Sequence, residues 1–349
     1  MRQRLDRLVA EGADVCDLDG WTDHYGTGIV EDLERRTAEI LGKPSAAFFP
    51  TGTMAQQIAL RVWAERTGNR TVAMHPMAHP LQHERDALTR VAGLRPLRTA
   101  DEPSPPSADE IRHLDEPFGI LHYELPLREA GFLLPEWEEL VAVVDAARER
   151  DAVVHFDGAR IWESTAFYGR PLPEIAGLAD SVYVSFYKSL GGLSGAALAG
   201  PVDVMDEARA WRHRYGGLPF QQWPAALAAL VGLDRELPRL PEYVAHARLV
   251  AAALARGLAK GPGWYRVHPE VPHTHEFQVW LAGEPEALER AAVLQAEETG
   301  TALFRSWRPG PVPGLARTEL AIRAPGLAWS EDDVQQAVAD FLTRVEPRE

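Results

Sequence analysis

VVHFDGARIWES, residues 153–164, and DSVYVSFYKSLGGLSGAALAG, residues 180–200, decide the fold. Each opens on an apolar run of the kind that forms a strand buried on both faces. The first run ends in Asp157-Gly158 and the second in Lys188-Ser189. The two ends lie one crossover apart, so a right-handed strand–helix–strand unit delivers a carboxylate and an amine to the same edge of a parallel sheet. Taken singly, Asp157-Gly158 reads as a turn after a strand and Lys188 as a solvated strand end. The pairing is what argues for a site.

An amine and a carboxylate so placed suit pyridoxal 5′-phosphate (PLP). Lys188 would tether the aldehyde as an imine and, once released by substrate, act as a base near Cα. Asp157 would keep the pyridine nitrogen protonated, so that the ring accepts the electron pair left when a Cα bond breaks. A charge-assisted hydrogen bond of about 1.5 to 3 kcal/mol is enough to hold that proton.

Upstream, IVEDLERRTAEILGK places Ile29, Leu33, Ile40 and Leu41 at roughly helical spacing, with Gly42 where the helix stops. Ala46 to Pro50 reads as a short strand, and Thr51-Gly52-Thr53 turns from it into the helix MAQQIALRVWAERTG. A strand, a glycine turn and a helix N-terminus direct free N–H groups and the helix dipole at one spot, which suits a phosphate; the same Thr-Gly-Thr serves equally as a plain helix cap. His75, His79 and His83 are spaced by four with Glu84 following, but Pro76 and Pro80 break the single helix a metal site of that spacing needs, so no metal is expected.

EPSPPSAD is a proline-rich loop within the domain, FGILHYELP the next strand, and PEWEELVAVVDAARERD a helix opened by Pro135, acidic first and basic last. Downstream, VDVMDEARAWRHR is a helix and Ala225–Leu237 another, which leads into a second domain. There PEYVAHARLVAAALARGLAKG, EFQVWL, EPEALERAAVLQAEETG, TELAIR and a final helix capped by Ser330 and Asp333 alternate helix and strand. The expected architecture is an α/β large domain with a mostly parallel sheet, residues 1–235, and a small α+β domain, residues 236–349.

A chain of 349 residues has ample surface to bury such a core, and its formal charge of −15 argues against a nucleic-acid groove or an anionic membrane surface. One cysteine, Cys16, excludes an intramolecular disulfide, and the N-terminal MRQRLDRLVAEGADV lacks the apolar stretch of a signal peptide. A cytoplasmic enzyme acting on small molecules is expected.

Together these segments resemble the threonine aldolase group of β-eliminating lyases, PLP enzymes with the aspartate aminotransferase type of fold (fold type I). The resemblance runs from about Tyr25 to about Gly217. It is carried by Tyr25-Gly26 with the following helix, FFPTGTMAQQIAL, HPLQHE, HFDGARIWES and the lysine segment ending GAALAG. It implies that Lys188 holds the cofactor, Asp157 meets the pyridine nitrogen and Gly52 and Thr53 hold the phosphate. It also implies that His79 stacks on the ring and serves as a base, and that Arg160 meets the substrate carboxylate.

The chain departs from the family pattern at several places, among them the N-terminal Arg-Ser-Asp-Thr segment, where Asp17-Leu18-Asp19 stands. Where the family carries Glu-Asn-Thr-His, Glu124-Leu125-Pro126-Leu127 stands; where it carries Gly-Gly-Gly-Met-Arg-Gln, Gly216-Gly217-Leu218-Pro219-Phe220-Gln221 stands. The usual C-terminal arginine falls about Glu319, with Arg317 and Arg323 as substitutes. Leu127 and Phe220 in place of polar residues predict a more apolar pocket. The expected reaction is cleavage of a β-hydroxy-α-amino acid to glycine and an aldehyde. β-Elimination, racemisation or PLP binding without catalysis are the alternatives, and a homodimer or homotetramer is implied.

Overall fold

In the computed structural model, which describes residues 1–261 and 263–345, the apolar runs become two sheets. The larger contains β1 (Ser45–Phe49), β2 (Thr71–Met74), β3 (Arg95–Arg98), β4 (Ile120–Glu124), β5 (Val153–Gly158), β6 (Ser181–Ser185) and β7 (Ala196–Gly200). Its order is β1-β7-β6-β5-β4-β2-β3. The pairs β2–β3, β2–β4, β4–β5 and β5–β6 are parallel, whereas β7 runs antiparallel to both β1 and β6. The mostly parallel sheet expected from the sequence is present.

β5 and β6 are neighbours, with Asp157 beside Tyr183. Lys188, however, is not on the strand: β6 stops at Ser185 and the lysine stands in the loop beyond it. β2 and β3 escaped the sequence reading. β2 is only four residues long, and β3 is RPLR, an edge strand with exposed arginines and no apolar run. The helix expected to open at Pro135 spans Trp137–Arg148, with Glu136 as its N-cap.

The helix Gly52–Thr67 packs its apolar residues against this sheet, and Ile58, Leu60, Val62, Phe49, Val72 and Met74 are shut off from solvent. A polar cluster not visible in the sequence ties the helix Ile29–Leu41 to β1. Glu34 Oε1 accepts from Phe48 N at 2.7 Å and from the buried Arg212 at 3.1 Å, while Arg209 donates to Glu34 Oε2 at 3.0 Å. With one carboxylate answering two guanidiniums and a backbone donor, the buried charges are compensated.

Gly42 ends that helix as expected, at φ +63°. A Cβ there would stand 2.7 Å from Pro173 Cβ. Gly42→Ala combines left-handed strain with that clash, so denaturant unfolding should show a loss of about 1 to 3 kcal/mol.

The chain divides into a unit of Met1–Arg239 and a second from Leu240 onward. The second contains β8 (Tyr265–His268), β9 (Glu276–Ala282), β10 (Arg308–Pro309) and β11 (Leu315–Ala321), in the order β10-β11-β9-β8 and antiparallel throughout. Helices Leu240–Leu258, Pro285–Thr299 and Glu331–Leu342 accompany it, the last with the expected Ser330–Asp333 capping box. Phe277, Val279, Phe304, Trp307 and Phe341 fill its core. Among the described residues no helix is long and apolar enough to cross a membrane.

Candidate active site

Thr51, extended at φ −139°, caps the helix Gly52–Thr67 by accepting from Met54 N at 3.3 Å. The cap leaves the Gly52 and Thr53 N–H groups, first-turn donors with no acceptor in the helix itself, at its positive end. Gly52 has no room for a side chain: a Cβ would stand 2.1 Å from Tyr183 Oη. Backbone donors therefore open directly onto a cavity of about 280 Å³ whose wall includes Gly52, Thr53, Gln56, His79, Tyr187 and Ser194. A cap and an anion site are thus compatible uses of one turn.

His79 begins the short helix His79–Gln82. Its backbone N–H donates to Glu124 Oε2 at 2.7 Å, and its ring Nδ1 lies 3.2 Å from Glu84 Oε1. Glu84 is buried and also accepts from Gln57 Nε2 at 2.7 Å. With Nδ1 committed to a carboxylate, Nε2 is the ring atom left to carry a lone pair. The other two histidines of the series go elsewhere. His75 is buried, with Nε2 at 2.9 Å from Glu102 O and Nδ1 accepting from Met77 N, and His83 Nε2 lies 2.8 Å from Glu129. Among the described residues no group of three or more His, Cys, Asp or Glu is arranged to hold a metal ion.

Asp157 is buried at the end of β5, where Oδ1 accepts from Ala159 N at 3.1 Å and Oδ2 lies 3.7 Å from His122 Nε2. Burial alone would raise this carboxyl, but its interactions with His122 first, and then with Lys188 and His79, outweigh it and hold Asp157 well below the usual range. Glu124, opposite Asp157 in the β4–β5 register, goes the other way: burial and the neighbouring Asp157 charge raise it. Two adjacent carboxyls are thereby pushed apart in proton affinity, the ionised one on the strand end.

The Lys188 amine is pushed down to about 8, chiefly by burial and then by the Arg160 guanidinium, against the opposing charges of Asp157 and Glu124. The loop carrying it is fixed from both sides. Ser189 Oγ donates to the buried Glu163 in a short hydrogen bond, and Trp162 Nε1 donates to Ser185 O at 3.1 Å. The Ile161–Glu163 turn after Asp157 therefore sets the position of the lysine loop after β6. Arg160 leads into that turn, its guanidinium 5.2 Å from the Phe132 ring.

The first unit thus unites Gly52, Thr53 and His79 around one cavity and groups Asp157, Arg160 and Lys188 through their mutual charges. Arg317 and Arg323 belong to the second unit, Arg317 lying 5.7 Å from the Trp280 ring. Leu127 is buried and bridges to Leu133, and Phe220 is exposed, stacked on His24 at 5.0 Å and edge-on to Tyr25 at 5.3 Å. His122 and the Glu163–Ser189 pair were not identified from the sequence. Glu84 stood out there only as a possible metal ligand, and Glu124 only as part of a departure from the family pattern.

The family described as Beta-eliminating lyase matches residues 22–260. A Listeria monocytogenes EGD-E structure assigned as an L-allo-threonine aldolase is 36% identical, with a TM-score of 0.87 over 96% of this chain and 92% of that one. An Exiguobacterium structure assigned as an aromatic amino acid beta-eliminating lyase/threonine aldolase is 34% identical, with a TM-score of 0.88 over 97% and 93%. The low specificity L-threonine aldolase of Escherichia coli K12 is 32% identical over 233 residues, 63% of this chain and 67% of that protein. The chain spans 53% to 67% of the length of curated relatives that it matches.

Proposed function

The chain belongs to the beta-eliminating lyase family, and from that premise we propose that it is a PLP-dependent carbon–carbon lyase of the threonine aldolase type. It cleaves a β-hydroxy-α-amino acid to glycine and an aldehyde, with a β-substituent bulkier or more apolar than that of threonine. The observation that carries this reading is the placing of Asp157 at the end of β5 and of Lys188 in the loop after the adjacent parallel β6, near enough for their charges to act on one another, with the Gly52 turn in the same unit.

The residues fit the cofactor. A helix N-terminus whose first residue has no space for a side chain suits a phosphate, a carboxylate held ionised suits a pyridinium, and a buried amine lowered to about 8 suits an aldehyde. PLP bound there supplies an electron sink for the pair released when the Cα–Cβ bond breaks. Gly52 and Thr53 hold its phosphate, Lys188 tethers it, and Asp157 keeps a proton at the pyridine nitrogen.

His79 covers the ring and takes the β-hydroxyl proton at Nε2, because Glu84 orients the imidazole through Nδ1. Glu124, holding the His79 backbone N–H, fixes where that ring begins. Arg160, a guanidinium close enough to depress the Lys188 amine, binds the substrate carboxylate. Arg317 and Arg323 are retained as second-unit candidates for the same role. The assembly we expect is a homodimer or homotetramer.

Product analysis tests the reaction: glycine plus an aldehyde supports it, whereas a keto acid plus ammonia points to β-elimination. Substrate choice is tested separately. With Leu127 and Phe220 where the family carries polar residues, kcat/KM for phenylserine should exceed that for threonine by about tenfold or more, the value of one or two well-buried apolar groups. A preference for threonine would sink the apolar-pocket part of the reading and leave the aldolase part standing.

A further inference from the structure

Behind the cavity runs a chain of buried hydrogen bonds. Trp63 Nε1 donates to Ser181 Oγ at 2.7 Å, Ser181 Oγ lies 2.8 Å from His155 Nδ1, and His155 Nε2 lies 2.8 Å from Gln56 Oε1. All four side chains are at least nine-tenths buried. The Gln56 amide oxygen can only accept, so His155 carries its proton on Nε2 and donates to it. The bare Nδ1 of the neutral ring then accepts from Ser181 Oγ, which accepts in turn from Trp63 Nε1.

Burial, and secondarily the charge of His122, drives the His155 imidazole down to about 3, so the ring stays neutral and has one proton to place. Gln56 turns its oxygen inward to His155, and its amide nitrogen is the terminus of the chain. That nitrogen is buried and has no hydrogen-bond partner, although Gln56 contributes to the cavity wall beside Gly52 and Thr53. Leaving a buried amide donor unmet is costly, on the order of 1 to 3 kcal/mol. Gly52 and Gln56 also stand four residues apart on one face of the helix, one turn above the other.

We propose that Gln56 is a phosphate-binding residue whose amide is held donor-outward by the Trp63–Ser181–His155 chain. The ligand it meets is the phosphate oxyanion that the Gly52 turn receives, so the inference rests on the cofactor reading above and extends it. Gln56 lies in FFPTGTMAQQIAL, a segment that carries the family resemblance, but the sequence reading gave it no role.

The experiment compares wild-type and Gln56→Glu protein, each stripped of cofactor and titrated with PLP and with pyridoxal, which lacks the phosphate. Glutamate keeps the oxygen that accepts from His155 and replaces the outward donor by an acceptor. Binding of PLP should weaken by about ten- to hundredfold, the value of a hydrogen bond to a charged group, with pyridoxal binding unchanged. Equal PLP affinity in the two proteins, or equal loss for PLP and pyridoxal, would overturn the assignment. Wild-type protein that binds no PLP would overturn the cofactor reading and this one with it. A second measurement needs no variant: in nitrogen-15 spectra of the wild type, His155 should be the Nε2–H tautomer, and an Nδ1–H tautomer would refute the orienting chain.

Discussion

Lys188→Ala protein should lose the near-ultraviolet to visible absorbance of bound cofactor and at least about 10³-fold in kcat for aldehyde release, as expected when a covalent tether and base is removed. The neighbouring Arg160 cannot supply the covalent chemistry of the amine, because a guanidinium carries charge that does not come off near neutral pH. Its depressed proton affinity yields a second readout. Only the neutral amine attacks an aldehyde, so capture of PLP by the stripped wild-type protein should quicken about tenfold per pH unit and level off near 8, where the amine titrates, instead of near its ordinary 10.5. The sign follows from the cause: burial and the Arg160 guanidinium both disfavour the ammonium, and relieving either moves the break upward. Arg160→Ala should therefore shift it to higher pH while also raising KM for the amino acid. Retention of the absorbance band by Lys188→Ala protein would refute the tether.

Asp157 and Lys188 were legible in the sequence because each follows an apolar run, and two such runs separated by one helix have few ways to pack other than side by side. The Gly52 turn was legible as strand, glycine and helix in succession. What the sequence concealed depends on register and on partners distant along the chain. Glu124 acquires its raised proton affinity from standing opposite Asp157, a consequence of strand pairing that no local pattern contains. Glu84 reads as a possible metal ligand beside three histidines, yet it serves one of them, holding His79 in a fixed tautomer. The apolar run leading to Lys188 suggested a strand reaching the lysine itself. β6 ends earlier because the chain must leave the sheet for Ser189 to meet Glu163. β3 was missed for an elementary reason: an edge strand can be built of RPLR, with its charged side chains in water.

Asp157→Asn should bind PLP nearly as well as wild type but turn over about 10²- to 10³-fold more slowly, with the loss in kcat and little change in KM. The amide matches the carboxylate in shape and can still accept from Ala159 N, so the strand end and the turn at Gly158 should persist. What disappears is the negative charge. In the wild type that charge survives burial because His122, Lys188 and His79 all favour it, and its folded-state proton affinity lies below the unfolded one. By linkage the ionised carboxylate adds stability above the ordinary carboxylate range, and that stability is lost only as pH falls through the depressed value. The carboxylate therefore stays ionised throughout neutral assay conditions, and the deficit of the Asn variant should not vary across them. With PLP bound, an amide at this position would no longer favour a protonated pyridine nitrogen, and the electron sink that the group would supply would be weaker, while Gly52, Thr53 and Lys188 would still hold it. An unchanged kcat in Asp157→Asn protein would show that this carboxylate holds the fold and not the chemistry.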